Sequence, residues 1–403
     1  MVKTKFMILL VSVFVLIALA ELVVADANST SCGTVNNGIT LTANVSANAD
    51  CFVLNASSVT IDCAGFMVSP ALTTPNSRGV ANNGFDNVVV KNCNFVYTSN
   101  TDRVIFFGGG TDNALIQNNT INGSTGNTVV GIDVFIRSPT NAYIENNIIT
   151  TTGGGADGIT IESATQVNRI LNNTVTINDV SGTVTNGILL QNSLSTTVSG
   201  SNQINVNGNN TMGIRVTNSN SSVITSNIIT IPGCPAGYAP TAMRFDASST
   251  NNVVGTDMAT QLDVLGNNLT LNCNGGNGIL VTASNNVIKN SNIAGTGGNI
   301  FGIGLTTANN TNLTLNSITL TGAGTNCIQI ATDSTNNQLT NNALTCMGAE
   351  IADAGGAHTN YLVYSNSNGQ IAWTNAGFLS NLTLKGTGGI GLSVANIALN
   401  SNL

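Results

Sequence analysis

Apolar and polar residues alternate along most of the chain. From about residue 78 onward, short runs carry an apolar side chain at every second position, separated by brief stretches of Asn, Ser, Thr and Gly. Asn141–Ile161, NAYIENNIITTTGGGADGITI, holds one full cycle. Ala142-Tyr143-Ile144 leads into Asn146-Asn147, and Ile148-Ile149-Thr150 follows. A glycine-rich bend at Gly153 to Gly155 then turns the chain, and Gly158-Ile159-Thr160-Ile161 opens the next run. Alternation of period two over runs this short predicts β-strands with one buried face.

The cycle recurs. A Gly-Ile-x-Val/Leu strand begins at Gly131, Gly158, Gly187, Gly213, Gly278 and Gly302, with degenerate copies at Val104-Ile105, Ala242-Met243, Cys327-Ile328 and Glu350-Ile351. Corners containing asparagine move in phase with it: Asn118-Asn119, Asn146-Asn147, Asn172-Asn173, Ser226-Asn227, Asn267-Asn268, Asn316-Ser317 and Asn341-Asn342. Two markers in phase define a structural repeat. A period near 25 residues, three short strands per repeat and no helical pattern select an all-β parallel β-helix over a leucine-rich or propeller repeat. About ten rungs at ~4.8 Å each give a rod roughly 50 Å long. Ile132, Val134, Ile159, Ile161, Ile188 and Leu190 are expected to stack inside. Corner asparagines tolerate left-handed backbone and can bond to one another along the rod.

Residues 28–77 lack the later corner pattern and are read as an N-terminal cap with the first coils; a solenoid needs a terminal unit that differs from its repeats. Repeats span 78–353. Residues 354–403 change pattern and are read as a C-terminal β closing segment, with a further module able to follow. Ile231–Pro240, rich in proline, reads as a loop bulging from the rod, and Val254–Leu265 lengthens the next interval in the same way.

Composition sharpens this picture. Charged residues make up only 7% of the chain and aromatics 4%, so the core must be built from Ile, Val and Leu, which suit strands. The 43 glycines fit a fold with many tight turns. The formal charge of −7 and the lack of any basic run after Lys5 argue against nucleic acid as a partner. Met1–Ala27, with Lys3 and Lys5 before an apolar run and Ala25-Asp26-Ala27 after it, reads as a secretory signal. The protein is then secreted or held at the cell surface, and would touch a membrane only through this segment, were it uncleaved.

Eight cysteines in an exported chain favour disulfides. Position along the chain suggests Cys32 with Cys51 and Cys63 with Cys93. One histidine and no Cys-x-x-Cys leave no expected metal site. Among many Asn-x-Ser/Thr sequons, Asn118, Asn172, Asn268 and Asn309 are candidates for glycosylation.

Three stretches carry a family resemblance: Cys51-Phe52-Val53-Leu54 with Val59-Thr60-Ile61-Asp62-Cys63-Ala64-Gly65, the repeats themselves, and Asn360-Tyr361-Leu362-Val363-Tyr364 with Gly369-Gln370-Ile371-Ala372-Trp373-Thr374. They resemble the right-handed parallel β-helix (pectin-lyase-like) superfamily. Within it, the chain looks like the periplasmic copper-binding-type β-helix repeats and exported archaeal surface β-helix proteins. The resemblance implies a right-handed coil and says little about activity, since many functions share a fold. The copper role does not carry over, because no Met-His or Cys-His cluster is present.

In the repeat strand, the x position and the residue two beyond it face outward. This alignment places Asp133 beside Glu162 on adjacent rungs and Arg215, Arg244 and Asp246 as a second group. These five residues are the candidate ligand-binding site, with Asp133, Glu162 and Asp246 as candidate catalytic carboxylates. Two functions are compatible with them. One is an exported cell-surface rod for structure, adhesion or glycan binding, with polysaccharide or envelope components as partners and no cofactor. The alternative is a polysaccharide lyase or glycoside hydrolase working in an outward groove. A lyase could require Ca²⁺ and a base, and a hydrolase needs two carboxylates about 5 to 9.5 Å apart.

Overall fold

The computed structural model describes residues 27–353 apart from 71–76, 99–102, 125–131, 154, 156, 180–183, 209, 234–239, 256–265, 332 and 349–350, together with strands at 361–364, 370–373, 383–384 and 391–394. All of the proposed signal but Ala27, the centre of the proline-rich loop and most of the second insertion lie outside the described residues. No α-helix occurs among those described. Each cycle contributes one strand to each of three parallel sheets of 13, 15 and 12 strands, visited in that order and called here front, second and third. In the opening cycle Asp157–Glu162 belongs to the front sheet, Tyr143–Glu145 to the second and Ile148–Thr152 to the third. The 13 front-sheet strands, at ~4.8 Å per rung, make a rod about 58 Å long.

The coils begin at the first described residues. Ala27–Ser29 pairs in parallel with Ile39–Leu41, and Gly33–Val35 with Phe52–Leu54. At the other end, Tyr361–Tyr364 and then Thr383–Leu384 extend the second sheet, while Gln370–Trp373 and Gly391–Val394 form a separate pair. Cys32 is bonded to Cys51 and Cys63 to Cys93, as their positions suggested. Cys327 bonds Cys346, and Cys273 is also disulfide-bonded.

The alternation resolves into one continuous core. Val134, Ile136, Ile159, Ile161, Ile188, Leu190, Ile214 and Val216 are all fully buried, stacked rung on rung. The glycine of the repeat strand has a steric cause. A Cβ on Gly187 would lie 2.7 Å from the Gly213 carbonyl oxygen and 2.5 Å from Ile204 Cγ2 inside the coil. The strand therefore runs too close to its neighbour there for a side chain to fit without a shift.

The Asn-Asn corner joins the second and third sheets, and its two members do different work. The first takes left-handed backbone, with φ of 54° at Asn118, 56° at Asn146 and 54° at Asn172. Asparagine accepts that conformation at low cost. The second turns inward, fully buried, and bonds to its counterpart one rung on. Asn119 Nδ2 donates to Asn147 Oδ1 at 3.0 Å, Asn147 to Asn173 at 3.0 Å, and Asn173 to Asn202 at 3.1 Å. Asn202 continues to Asn227 at 2.8 Å and Asn227 to Asn267 at 3.0 Å. The corner exposes backbone groups that no sheet pairs, and buried polar groups must find partners. The amides supply them, Asn147 Nδ2 also donating to the Ile116 carbonyl at 2.9 Å.

The corner before Asn316 puts a leucine in the left-handed place. Leu315 holds the left-handed place at φ 57° and is 49% exposed, just before the buried Asn316. A γ-branched side chain gains nothing there and bears the left-handed cost. Leu315→Asn is expected to raise unfolding free energy by about 1 kcal/mol, read as a higher urea midpoint. A midpoint unchanged or lowered would show that the exposed leucine makes a contact that offsets its backbone.

Candidate functional site

The outer face of the front sheet gathers the charge. Phe106, Phe135, Thr160, Leu189, Arg215 and Arg244 occupy one outward column, one per rung. Gly108, Arg137, Glu162, Gln191 and Thr217 form the next. Asp246 follows Phe245, and its N–H donates to the Val216 carbonyl at 2.9 Å, which places it level with Thr217. Arg78 and Arg103 stand level with each other on neighbouring rungs, Arg103 opening its strand and Arg78 two residues ahead of Val80–Asn82. Five of the six arginines thus lie on this face. The sixth, Arg169, stacks on Tyr143 of the second sheet at 5.3 Å.

Register corrects the expected carboxylate pairing. Val134 pairs with Ile159, not with Ile161, so the strand sits two residues from the alignment suggested by the Gly-Ile-x-Val motif. Ile132 accordingly pairs with Asp157, and Asp133 falls level with Gly158 rather than Thr160. The residue beside Glu162 is Arg137, whose Nε lies 2.6 Å from Glu162 Oε2. A slip of two keeps every inward residue inward, so the alternation alone could not exclude it. The bulky Phe135, placed over Phe106 by this register, distinguishes the two alignments in the folded rod.

The second expected group does come together. Arg215 Nε lies 2.6 Å from Asp246 Oδ2, and Arg244 Nε 2.5 Å from Asp246 Oδ1. One carboxylate with both oxygens engaged holds two guanidiniums on adjacent rungs. Glu162 and Asp246 are three rungs apart, with Gln191 and Thr217 between them. At ~4.8 Å per rung that is about 14 Å, beyond the window for paired hydrolytic carboxylates.

Two features escaped the sequence reading. The first is a stack of rings and guanidiniums. Phe106 and Phe135 lie parallel with centroids 5.6 Å apart. Arg78 Cζ sits 3.9 Å above Phe106, Arg103 lies 5.1 Å from Phe106 and 4.4 Å from Phe135, and Arg137 lies 5.4 Å from Phe135. The signal was the recurrence of scarce arginines at similar phase, invisible until the rungs are stacked. The second is Asp157, a buried acid at the margin of the face. Its Oδ1 accepts the Asn186 N–H at 2.8 Å and Asn186 Nδ2 at 2.7 Å. Desolvation nonetheless pushes its carboxyl up from 3.8 to about 6. Burial keeps this acid out of a ligand's reach, so its raised proton affinity bears on stability.

The glycosylation candidates Asn118, Asn172 and Asn268 are exposed. Asn309 is partly buried, and its Oδ1 accepts the Thr335 N–H and hydroxyl at 2.8 Å each.

These sheets and their register define the class: the chain is a parallel β-helix. No family model matches the chain, and no curated protein does. Among solved structures it is similar to the A-module of the mannuronan C-5 epimerase AlgE6 of Azotobacter vinelandii, at 14% identity and a TM-score of 0.42, over 87% of this chain and 90% of that one. It is also similar to PfbA, a surface adhesin of Streptococcus pneumoniae, at 10% identity and a TM-score of 0.35, over 85% and 84%. Likeness at this level does not extend to what the chain binds.

Proposed function

We propose that the protein is an exported surface rod that binds polysaccharide along the outer face of its front sheet. The observation that carries this reading is the gathering of five of six arginines on one face of a chain whose formal charge is −7. Export is supported by the signal-like N-terminus and by the disulfides, which form and persist in oxidising compartments. Binding is favoured over catalysis by the state of the carboxylates. Asp246 is clamped by two arginines and Glu162 by one, so both serve to hold guanidiniums in place.

The test is retention on immobilised polysaccharides, with product analysis for released reducing or unsaturated sugars. Binding without turnover is expected, and Arg215→Ala/Arg244→Ala is expected to weaken it at least about tenfold, a change of 1.4 kcal/mol. Turnover by the natural chain that disappears in Asp133→Ala/Glu162→Ala would replace this reading with the enzymatic one.

A further inference from the structure

We infer that the outer face of the third sheet is a second binding surface and that it binds ice. This face and its residues are distinct from those of the polysaccharide reading above.

Charge sets the face apart. No charged residue occurs in any of the 12 strands of the third sheet. Strands of the second sheet carry Lys91, Glu145, Arg169 and Lys289, and those of the front sheet carry the arginines described above. Strand propensity favours threonine on all three sheets alike. It does not explain why charge is confined to two of them.

In place of charge the third sheet presents a grid. From Asn94–Thr98 to Ala343–Cys346, ten strands pair in unbroken parallel register. Thr150, Thr176, Thr230, Thr270, Thr319 and Thr345 fill six of the ten places in the central outward column. Among the described residues, none holds any of these six hydroxyls in a hydrogen bond. Thr152, one column over, differs: its hydroxyl donates to the Gly123 carbonyl at 3.1 Å. Thr174 extends the grid in the second direction, two residues before Thr176 on the same strand. Neighbouring rungs lie ~4.8 Å apart and alternate residues of a strand ~6.7 Å. Both spacings are close to the oxygen repeats in the prism plane of hexagonal ice. A hydroxyl there takes the place of a lattice water, and the methyl beside it fills a hollow between waters. The coils hold the grid before contact, so little freedom is lost on binding. Over nine intervals the column runs about 43 Å, and its many weak contacts act as one rigid set.

The same surface disfavours other occupants. Interface centres of protein partners are built on aromatic residues and arginine. None faces outward here among the described residues, and a sugar ring likewise finds no aromatic platform. Ile148 and Ile228, 50% and 42% exposed, stand three rungs apart and form no continuous apolar patch. A neutral lattice matches a neutral face, because no side chain on it must keep its own hydration shell.

Three assays on the full chain test this: the gap between melting and freezing points of a single ice crystal, recrystallisation in a polycrystalline film, and partition of fluorescently labelled protein into growing ice. A freezing gap, slowed recrystallisation and enrichment in the ice are expected. Thr176→Lys is expected to lose most of the gap and Thr176→Lys/Thr230→Lys all of it, since an ammonium keeps its water and projects above the grid. Thr197→Lys, on the outer face of the second sheet, is expected to leave the gap unchanged. Thermal unfolding of each variant would establish that the rod is intact. Ice that grows with the natural chain as it does in buffer, or a double variant as active as the natural chain, would overturn this inference and leave the polysaccharide reading untouched. Retention on crystalline cellulose or chitin that the double variant loses, with no effect on ice, would overturn the choice of ice in favour of a crystalline polymer. Asn122 and Asn268 also lie on this face and begin sequons. A glycan found on either by mass spectrometry of the natural protein would block the grid and overturn the inference as well.

Discussion

Asn173→Ala is expected to lower the unfolding free energy by about 3–5 kcal/mol. The side chain is fully buried in the middle of the corner ladder. Its Oδ1 accepts two bonds from Asn147, one from the backbone N–H and one from Nδ2, both at 3.0 Å. Its Nδ2 donates to the carbonyls of Ile144 at 2.9 Å and Leu171 at 3.0 Å, as well as to Asn202. Truncation strands at least two buried groups in a place that sheet bonding does not reach, at roughly 1–3 kcal/mol each. Aspartate would keep the acceptor and lose the donors while burying a charge, so no common substitute is expected to rescue the site. Because each rung touches only its neighbours, the damage should be local. Hydrogen exchange is expected to accelerate at Ile144, Asn147 and Asn202 well before it does at the Cys32–Cys51 end. The adjacent Asn172 serves as a control. It is exposed and left-handed at φ 54°, so Asn172→Gly should stay within about 0.5 kcal/mol of the natural chain. Equal effects at the two positions would sink the division of labour between the two corner asparagines.

The second large effect depends on pH. The Asp157 carboxyl is raised from 3.8 to about 6, chiefly by desolvation, against the opposing hydrogen bonds from Asn186. A raised acid is protonated more readily in the folded state than in the unfolded chain. Its contribution is therefore most favourable below pH 3.8, declines as pH rises through the interval to about 6, and stays at its least favourable above that. At 1.36 kcal/mol per pH unit the whole change is about 3 kcal/mol. Asp157→Asn keeps an oxygen to accept both Asn186 bonds and carries no charge to desolvate. The variant is thus expected to exceed the natural chain by up to about 3 kcal/mol at pH 7.5, with the difference shrinking towards zero near pH 4. Urea denaturation of both proteins across this range checks it, since other titrating groups are common to the pair. Parallel stability curves from pH 4 to pH 8 would show that the acid is not desolvated.

A rod whose internal acid opposes stability at neutral pH tolerates acid better than its aspartate count suggests. Opposite in sign, Asp62 is held below the usual carboxylate range: bonds from Asn92, the Ala64 N–H and Lys91 outweigh a desolvation that acts to raise it. It lies largely at the surface, and screening by water leaves its effect on stability small.

Much of the molecule was legible before its shape was known. Alternation of period two determined the strands and the inward residues, because the side chains of a strand point to opposite faces by geometry alone. The in-phase asparagine corners determined the repeat, because a coil must turn at a fixed place and only a few residues accept the backbone that this demands. Cys32 with Cys51 and Cys63 with Cys93 could be paired by position, since neighbouring coils bring them together. The group of Arg215, Arg244 and Asp246 was legible for the same reason: their copies of the repeat align without slippage.

Tertiary structure alone decided the register at Ile132–Arg137. A shift of two residues leaves the core pattern unchanged, so hydrophobic burial is blind to it. The choice falls to side chains that meet only across rungs, Phe135 on Phe106 and Arg137 on Glu162. That choice puts Phe135 rather than Asp133 level with Thr160, and a guanidinium, Arg137, beside Glu162. It also assembles the ring and arginine stack from Arg78, Arg103, Phe106, Phe135 and Arg137, residues separated along the chain and unremarkable one at a time. The burial of Asp157 was equally hidden, because a polar residue at the start of a strand reads as exposed until the rungs above and below it are in place.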